Sequence, residues 1–132
     1  MTAPPYYFET VLVSYAHIVL DPDPRPAAGT ITFHLLYPGS RDPLMPAYDV
    51  AVTARPFHGY LGSDGVMRRD STTGQQGVPI LACDNGLGVD SLHYRAEFAL
   101  TDEFGTEIPR RPIEFQVGLA DIDLNTHPYT QL

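Results

Sequence analysis

The sequence contains no lysine, so all eight basic residues in its 132 positions are arginines. They are outnumbered by 16 acidic residues, which leaves a formal net charge of -8 at pH 7. An acidic protein repels the phosphates of nucleic acids and of anionic lipids. We therefore expect no nucleic-acid partner, and the arginine pairs Arg68–Arg69 and Arg110–Arg111 are too short to change that expectation.

A single cysteine, Cys83, excludes an intrachain disulfide. It lies in the apolar run 78–83, where a small buried side chain is favoured over a catalytic thiol. The sequence also lacks a secretory signal at its start and any apolar run near the roughly 20 residues that cross a bilayer. We expect a protein made in the cytoplasm, with no membrane insertion, whatever larger body it later joins.

Long helices are disfavoured, because 13 prolines and 11 glycines are spread along the chain. Four segments instead alternate apolar and polar residues with period two, which is typical of half-buried strands. Their apolar sets are Ile31, Phe33, Leu35 and Tyr37; Tyr48, Val50, Val52 and Ala54; Tyr94, Ala96, Phe98 and Leu100; and Ile113, Phe115, Val117 and Leu119. Residues 6–20 predict a further strand, either bent or divided in two.

Turn signals separate these segments at the close spacing of an antiparallel all-β domain. The proline-rich stretch 21–26 predicts a crossing between strands, and 38–43 predicts a loop. Residues 101–105 predict a hairpin turn, with Gly105 at positive φ, between two strands that lie within residues 93–119.

The predicted fold is an antiparallel β-sandwich, Greek-key-like, with long proline-rich loops and little or no helix. Residues 1–28 are predicted to be an N-terminal extension that holds a first strand region and the proline-rich crossing. Residues 29–132 are predicted to form the sandwich, and the two parts together have the size of one domain.

The stretch GYLGSDGVM, residues 59–67, has the glycines and the aspartate of a ligand-binding loop. A phosphate loop would need a following helix and a lysine, and the pattern has neither. A calcium loop would need oxygens at alternate positions and a closing glutamate, whereas Arg68 and Arg69 would repel a cation. We therefore predict a hairpin turn over residues 63–65, in which Gly65 adopts positive φ.

No catalytic, metal or cofactor site is predicted. The five histidines, at positions 17, 34, 58, 93 and 127, lack the short spacing of a metal site, and 34 and 93 fall on polar strand faces. Three carboxylate pairs occur at turns or strand ends, where such side chains usually cap the backbone: Asp21/Asp23, Asp102/Glu103 and Asp121/Asp123. Residues 84–90 favour a turn over a cation or sugar site, and no Gly-x-Ser-x-Gly elbow of a serine hydrolase occurs. We expect no enzymatic activity.

Tyrosine is abundant, with eight copies, and its placement leaves two interpretations open. Tyr6, Tyr7 and Phe8 cluster near the amino terminus, and Tyr129 lies near the carboxyl end. These side chains serve either as core and strand-edge packing or as contact area at an interface or a sugar-binding surface. Tyr6, Tyr7 and Phe8 are the candidate interface residues.

Six short motifs follow one another along most of the chain: Gly29-Thr-Ile-Thr-Phe33, Leu61-Gly-Ser-Asp-Gly65, Gly77-Val-Pro-Ile-Leu81, Ala82-Cys83-Asp84, Tyr94-Arg95-Ala96-Glu97 and Ile113-Glu-Phe-Gln-Val117. Their order and spacing, over residues 29–119, resemble a β-sandwich domain of minor tail, tail-fibre and baseplate proteins of tailed bacteriophages. That family has no catalytic residues to transfer to this chain, so the resemblance names no active site.

The resemblance implies a non-enzymatic structural component of a phage virion, in the tail or baseplate. Such a protein would assemble with copies of itself, as a trimer or hexamer, and dock on other phage tail proteins, with a host-surface glycan as a further partner to test. The alternative function is a stand-alone carbohydrate-binding module that recognises the host surface. In that case Tyr48, Tyr60 or Tyr129 would stack on sugar rings.

Overall fold

A computed structural model describes residues 10–36, 44–45, 50–51, 55–69, 75–81, 92–118 and 120–132. Across these ranges the chain forms 14 strands and no helix, which confirms the predicted all-β class. The strands are β1 (Thr10–Ser14), β2 (Ile18–Asp21), β3 (Asp23–Pro26), β4 (Ala28–Leu36), β5 (Leu44–Met45), β6 (Val50–Ala51), β7 (Phe57–Leu61), β8 (Met67–Arg68), β9 (Val78–Leu81), β10 (Leu92–Thr101), β11 (Glu107–Ile108), β12 (Ile113–Val117), β13 (Ile122–Asp123) and β14 (Thr130–Gln131). Nowhere in the described ranges is there a helix long and apolar enough to span a membrane.

The main sheet contains seven strands, six of them in the order β14-β12-β10-β4-β7-β8, while β11 pairs with β10. All its neighbouring strands are antiparallel. Its longest pairing joins β4 to β10, from Ala28 opposite Thr101 to Leu36 opposite His93. Because side chains alternate with period two in both strands, this register brings their apolar residues together on one face of the sheet.

A second sheet has the order β13-β1-β9, with β9 antiparallel and β13 parallel to β1. Two single bridges link the strands of the two sheets at one side: Ala16 pairs with Val66, and Arg68 pairs with Gly77. Two separate ribbons, β2–β3 and β5–β6, complete the described strands.

The two sheets enclose one apolar core, as in a β-sandwich. The Tyr94 and Phe115 rings stack with centroids 6.0 Å apart, and the Phe33 ring meets Phe115 edge-on at 6.1 Å. The buried apolar side chains are Val11, Val13, Tyr15, Ala27, Ile31, Phe33, Leu61, Met67, Val78, Ile80, Tyr94, Ala96, Leu100, Ile113, Phe115, Val117, Ile122 and Leu124. Four of them precede residue 29, so the described part of the predicted N-terminal extension shares the core of the sandwich.

The predicted inward faces of three strands are confirmed. The buried or core-packed residues are Ile31, Phe33 and Leu35 in β4; Tyr94, Ala96, Phe98 and Leu100 in β10; and Ile113, Phe115 and Val117 in β12. The described part of segment 6–20 is divided in two, since residues 15–17 separate β1 from β2. Tyr37, Leu119, the loop 38–43 and, apart from β6, the predicted strand 48–54 lie outside the described residues.

The prediction that residues 21–26 form a crossing between strands is wrong. Asp23–Pro26 is strand β3, and it pairs antiparallel with β2 as a two-stranded ribbon. Proline occupies only every second position of β3, so Asp23 and Arg25 keep their N–H groups. The ribbon tolerates the prolines because, within the described residues, no third strand pairs with β3.

Both predicted hairpin turns are confirmed. Gly65, between β7 and β8, has a φ of 76°, and Gly105, between β10 and β11, has a φ of 80°. The Gly65 N–H donates to the Gly62 carbonyl at 2.9 Å, and the Gly105 N–H donates to the Asp102 carbonyl at 3.1 Å. Glycine is favoured at both positions because positive φ is costly for residues that carry a Cβ.

Candidate functional site

The chain after β12 folds back along the sandwich and forms the wall of two adjoining depressions. β13 pairs with β1, and β14 pairs with β12 through Thr130 opposite Glu114. Leu124 has no exposed surface and anchors this segment in the core. The Asn125 side chain binds the Ala16 backbone twice, accepting from its N–H at 3.0 Å and donating to its carbonyl at 2.9 Å. The wall is therefore tied to the sandwich both by packing and by hydrogen bonds.

The first depression, which we call the groove, has a volume of about 650 Å³. Its lining residues are His93, Glu114, Phe115, Gln116, Val117, Gly118, His127, Pro128, Tyr129 and Thr130. His127 closes one side, because its Nε2 donates to the Gln116 carbonyl at 2.9 Å and its ring meets the Phe115 ring edge-on at 6.2 Å. Tyr129 is 47% exposed. The groove thus combines an accessible aromatic ring with side chains that donate and accept hydrogen bonds.

The second depression, the arginine cleft, has a volume of about 300 Å³ and shares Tyr129 with the groove. Its lining residues are Arg110, Arg111, Ile113, Leu124, Asn125, Tyr129 and Gln131. Arg110 is held in place, because its Nη1 donates to the Tyr15 hydroxyl and its guanidinium carbon lies 4.2 Å from the centroid of the Phe98 ring. A guanidinium over an aromatic face is stabilised by the negative potential of that face. The cleft therefore presents fixed positive charge on an acidic protein.

The Tyr15 hydroxyl extends this network to His17. It accepts from Arg110 and shares a second hydrogen bond, of 2.7 Å, with His17 Nδ1. Burial raises the pKa of Tyr15, and the charge of Arg110 partly offsets this rise. Burial and, next, the charge of Arg110 lower the pKa of His17. His17 is therefore favoured in its neutral form, which is the form that can accept the Tyr15 proton.

A different surface lies at the other end of β10. We call it the hairpin end and define it by three exposed apolar residues, Ile18, Leu20 and Phe104. Leu20 is 76% exposed, Phe104 74% and Ile18 47%. An ion pair of 3.6 Å joins Arg25 of β3 to Glu103 in the turn after β10. The ribbon β2–β3 and the β10–β11 hairpin therefore protrude at the same end of the molecule.

Of the three tyrosines predicted to stack on sugar rings, Tyr60 and Tyr129 lie in the described residues. Tyr129 lines the groove, whereas Tyr60, 37% exposed, lines a separate depression of about 540 Å³ between β7 and β9. Tyr48 lies outside the described residues. So do the candidate interface residues Tyr6, Tyr7 and Phe8.

Two of the six acidic residues predicted to cap turns, Asp102 and Asp123, bind nearby backbone N–H groups, as predicted. Asp102 Oδ1 accepts from the N–H groups of Phe104 and Thr106, both at 2.9 Å. Asp123 Oδ1 accepts from the Asn125 N–H at 2.9 Å. These carboxylates stabilise turns of the backbone, which accounts for their position in the sequence.

Asp64 plays the same part in the GYLGSDGVM turn. Its Oδ1 accepts from the Val66 N–H at 3.1 Å, and its two oxygens accept from Arg68 at 2.7 and 2.9 Å. The hydrogen bond from Arg68 and, next, that from the Val66 backbone hold the pKa of Asp64 far below its ordinary value. The carboxylate is thus engaged within its own hairpin, in agreement with the predicted turn.

All five histidines lie in the described part of the chain. His34 and His93 lie on the outer, polar face of the main sheet, as predicted, and His34 Nε2 is 3.4 Å from Glu97 Oε2. Among the described residues, no three histidines, cysteines, aspartates or glutamates come close enough together to hold a metal ion. Cys83 and the stretch 84–90 lie outside those residues.

Comparison with known protein families, curated proteins and solved structures finds no match for this chain. Sequence reasoning named Tyr129 but missed the groove and the arginine cleft around it. The groove combines residues 93, 114–118 and 127–130, which only the fold brings together. The pair Arg110–Arg111 was visible in the sequence, but nothing in the sequence showed that it lines a cleft.

Proposed function

We propose that this protein is a non-enzymatic structural component that assembles with copies of itself and with neighbouring proteins, in the tail or baseplate of a phage virion. The observation that supports assembly is the hairpin end, where Leu20 and Phe104 are each about three-quarters exposed. The virion itself is supported by the resemblance of residues 29–119 to tail and baseplate domains.

Exposed side chains of this size are unfavourable in water. Burying a leucine or a phenylalanine fully contributes about 1.5–3 kcal/mol. Because the two side chains are carried by separate hairpins that protrude together, one partner surface can cover both. The ion pair between Arg25 and Glu103 is largely exposed, and such pairs contribute little, so the apolar side chains supply the driving force at this end.

The assembly test is the solution mass of the purified protein by light scattering across a range of concentrations. We expect a trimer or hexamer that dissociates in a variant carrying Leu20→Ser and Phe104→Ser. Tyr60→Ser is the matched control, because it removes an exposed aromatic ring from a different surface, and it should leave the mass unchanged. A strict monomer at every concentration would contradict self-assembly.

The virion assignment has its own test. Purified virions of the phage that encodes this chain should contain the protein, detected by mass spectrometry, in a ratio to the major tail protein that repeats between preparations. Absence from virions that contain all the other tail proteins would refute the assignment. This result is independent of the mass that the isolated protein has in solution.

A second candidate function is carbohydrate binding, and the groove is the observation that favours it. Tyr129 supplies an accessible ring, and Glu114, Gln116 and His93 line the same space with hydrogen-bonding groups. A glycan array should show a signal that Tyr129→Ala abolishes and Tyr60→Ala keeps. Loss with both variants or with neither would count against the groove as the sugar site.

A further inference from the structure

The arginine cleft brings two neighbouring arginines, Arg110 and Arg111, into one small depression. Three other arginines form ion pairs, and these are Arg25–Glu103, Arg68–Asp64 and Arg95–Glu114. No carboxylate of the described residues lies within 4 Å of the guanidinium of Arg110 or Arg111. Within the described ranges, two neighbouring positive charges therefore have no carboxylate partner, although the net charge of the full sequence is -8.

Arg110 is arranged to bind a ligand rather than to move freely in solvent. Its Nη1 donates one N–H to the Tyr15 hydroxyl, and its guanidinium lies over the Phe98 ring, so the second N–H of Nη1 and those of Nη2 and Nε are its remaining donors. Tyr15 is 1% exposed and cannot move without disturbing the core. A guanidinium already fixed in this way loses little conformational freedom when it binds an oxyanion.

The chemistry of the cleft selects an oxyanion. The guanidinium fork matches the geometry of carboxylate and phosphate, which accept two parallel N–H bonds. Gln131 and Tyr129 line the same cleft and add further donors. An anion here would also relieve the repulsion between the two adjacent arginines.

The neighbouring groove indicates what carries the oxyanion. Tyr129 lines both depressions, so a ring placed against Tyr129 in the groove can extend a charged substituent into the cleft. An acidic peptide, which arginine clusters also bind, would use the charges of the cleft but does not require a sugar-sized groove with an aromatic ring beside them.

We propose that the arginine cleft binds the carboxylate or phosphate of an acidic saccharide whose ring lies in the groove against Tyr129. This proposal rests on the second candidate function and is independent of assembly through the hairpin end. Arg111, which is exposed, and Arg110 would bind the oxyanion, while the groove would bind the hydroxyl groups of the ring.

The test compares trigalacturonic acid with its fully methyl-esterified form, which keeps the rings and removes the charge, by calorimetry at low salt. We expect the acid to bind at least about tenfold more tightly than the ester. Arg111→Gln should reduce binding of the acid to the level of the ester and leave binding of the ester unchanged. Arg110→Gln should act in the same direction, but Arg111→Gln is decisive because Arg111 does not contact Tyr15 or Phe98.

Arg55→Gln is the matched control, since it removes an exposed arginine outside both depressions and should leave all affinities unchanged. Galactose 6-phosphate in place of the uronate distinguishes a phosphate from a carboxylate source, and tight binding of either supports the proposal. Equal affinity for acid and ester would overturn the oxyanion cleft while leaving the sugar groove standing.

Three further outcomes would overturn the proposal in distinguishable ways. Binding of inorganic phosphate as tightly as the sugar phosphate would show that the ring contributes nothing. Binding of an Asp/Glu peptide in preference to every saccharide would assign the cleft to a protein partner. Failure of all probes to bind would refute both this proposal and the carbohydrate-binding candidate, and the light-scattering result for assembly would be unaffected.

Discussion

The hairpin end and the groove lie at opposite ends of β10 and expose different kinds of surface. At the hairpin end, Leu20 and Phe104 are apolar, largely exposed and carried by protruding hairpins. Near the start of β10, His93 belongs to a concave groove that has both polar and apolar walls and a half-exposed tyrosine. A protruding apolar surface is best covered by a large partner that excludes water, whereas a concave surface of mixed polarity suits a small ligand.

The groove and the hairpin end also differ in how they are attached to the rest of the fold. The wall of the groove is anchored by the buried Leu124 and by the Asn125 side chain bonded to the Ala16 backbone. The ribbon β2–β3 pairs with no further strand in the described part of the chain. The wall of the groove is therefore preorganised, whereas the ribbon at the hairpin end has fewer strand pairings to hold it.

The largest effect is expected from a matched pair of leucine truncations. Leu124→Ala should lower the free energy of unfolding by about 2–5 kcal/mol, because it leaves a cavity under the wall of the groove. Leu20→Ala should change it by no more than ~0.5 kcal/mol in the dissociated protein, because Leu20 is exposed. Urea unfolding of both variants measures the two changes. Similar losses of unfolding free energy would contradict the difference in anchoring between the wall of the groove and the hairpin end.

A smaller difference in stability is expected between alanine substitutions in two turns, those of Gly65 and Gly105. A Cβ at Gly65 would lie 2.6 Å from the His17 carbonyl oxygen, whereas a Cβ at Gly105 would meet nothing within 4 Å. Both glycines have positive φ, so Gly105→Ala should destabilise the fold by about 1 kcal/mol through backbone strain.

Gly65→Ala should cost more than Gly105→Ala, because the His17 backbone has to shift as well. Thermal unfolding of the two variants measures the order of these effects. A larger destabilisation by Gly105→Ala than by Gly65→Ala would contradict the close packing of the Gly65 turn against His17.

The smallest effect concerns the dependence of stability on pH. The pKa of His17 is lowered in the folded protein, so the unfolded chain binds more protons below the ordinary value of 6.5. Stability should therefore fall as the pH drops through that value and level off below the lowered pKa.

His17→Asn, which keeps a hydrogen-bond acceptor near Tyr15, should remove this part of the dependence. Unfolding midpoints measured between about pH 7.5 and 5 would show it as a flatter profile for the variant. Superimposable profiles for the two proteins would indicate that His17 does not couple to the Tyr15–Arg110 network.

Much of the fold could be read from local patterns, and the one error has a local cause. Period two correctly assigned the inward faces of β4, β10 and β12, and glycines at the tips of two hairpins marked their turns. The prolines of residues 21–26 predict a crossing that cannot be a central strand. The crossing is wrong but the second part agrees with the structure, because β3 lies in a two-stranded ribbon that needs hydrogen bonds from only one side of it.

Less of the candidate site could be predicted. The residue type of Tyr129 predicts a contact surface. Its place in the groove depends on β14, which pairs with β12 through two residues. The arginine pair 110–111 is too short to predict binding of a nucleic acid. A pair of charges in a cleft is a different kind of site, and the cleft is formed by residues 110–113 and 124–131 together.

The sequence by itself determined that the chain forms strands, which side of three of them faces inward and where two hairpins turn, because each of these depends on neighbouring residues. Only the tertiary structure decided which charges that are distant in the chain are paired. Arg95 reaches Glu114 because β10 and β12 lie side by side in one register, whereas Arg110 meets Tyr15 and Phe98 instead of a carboxylate. Such partners are far apart in the chain, and no local pattern records them.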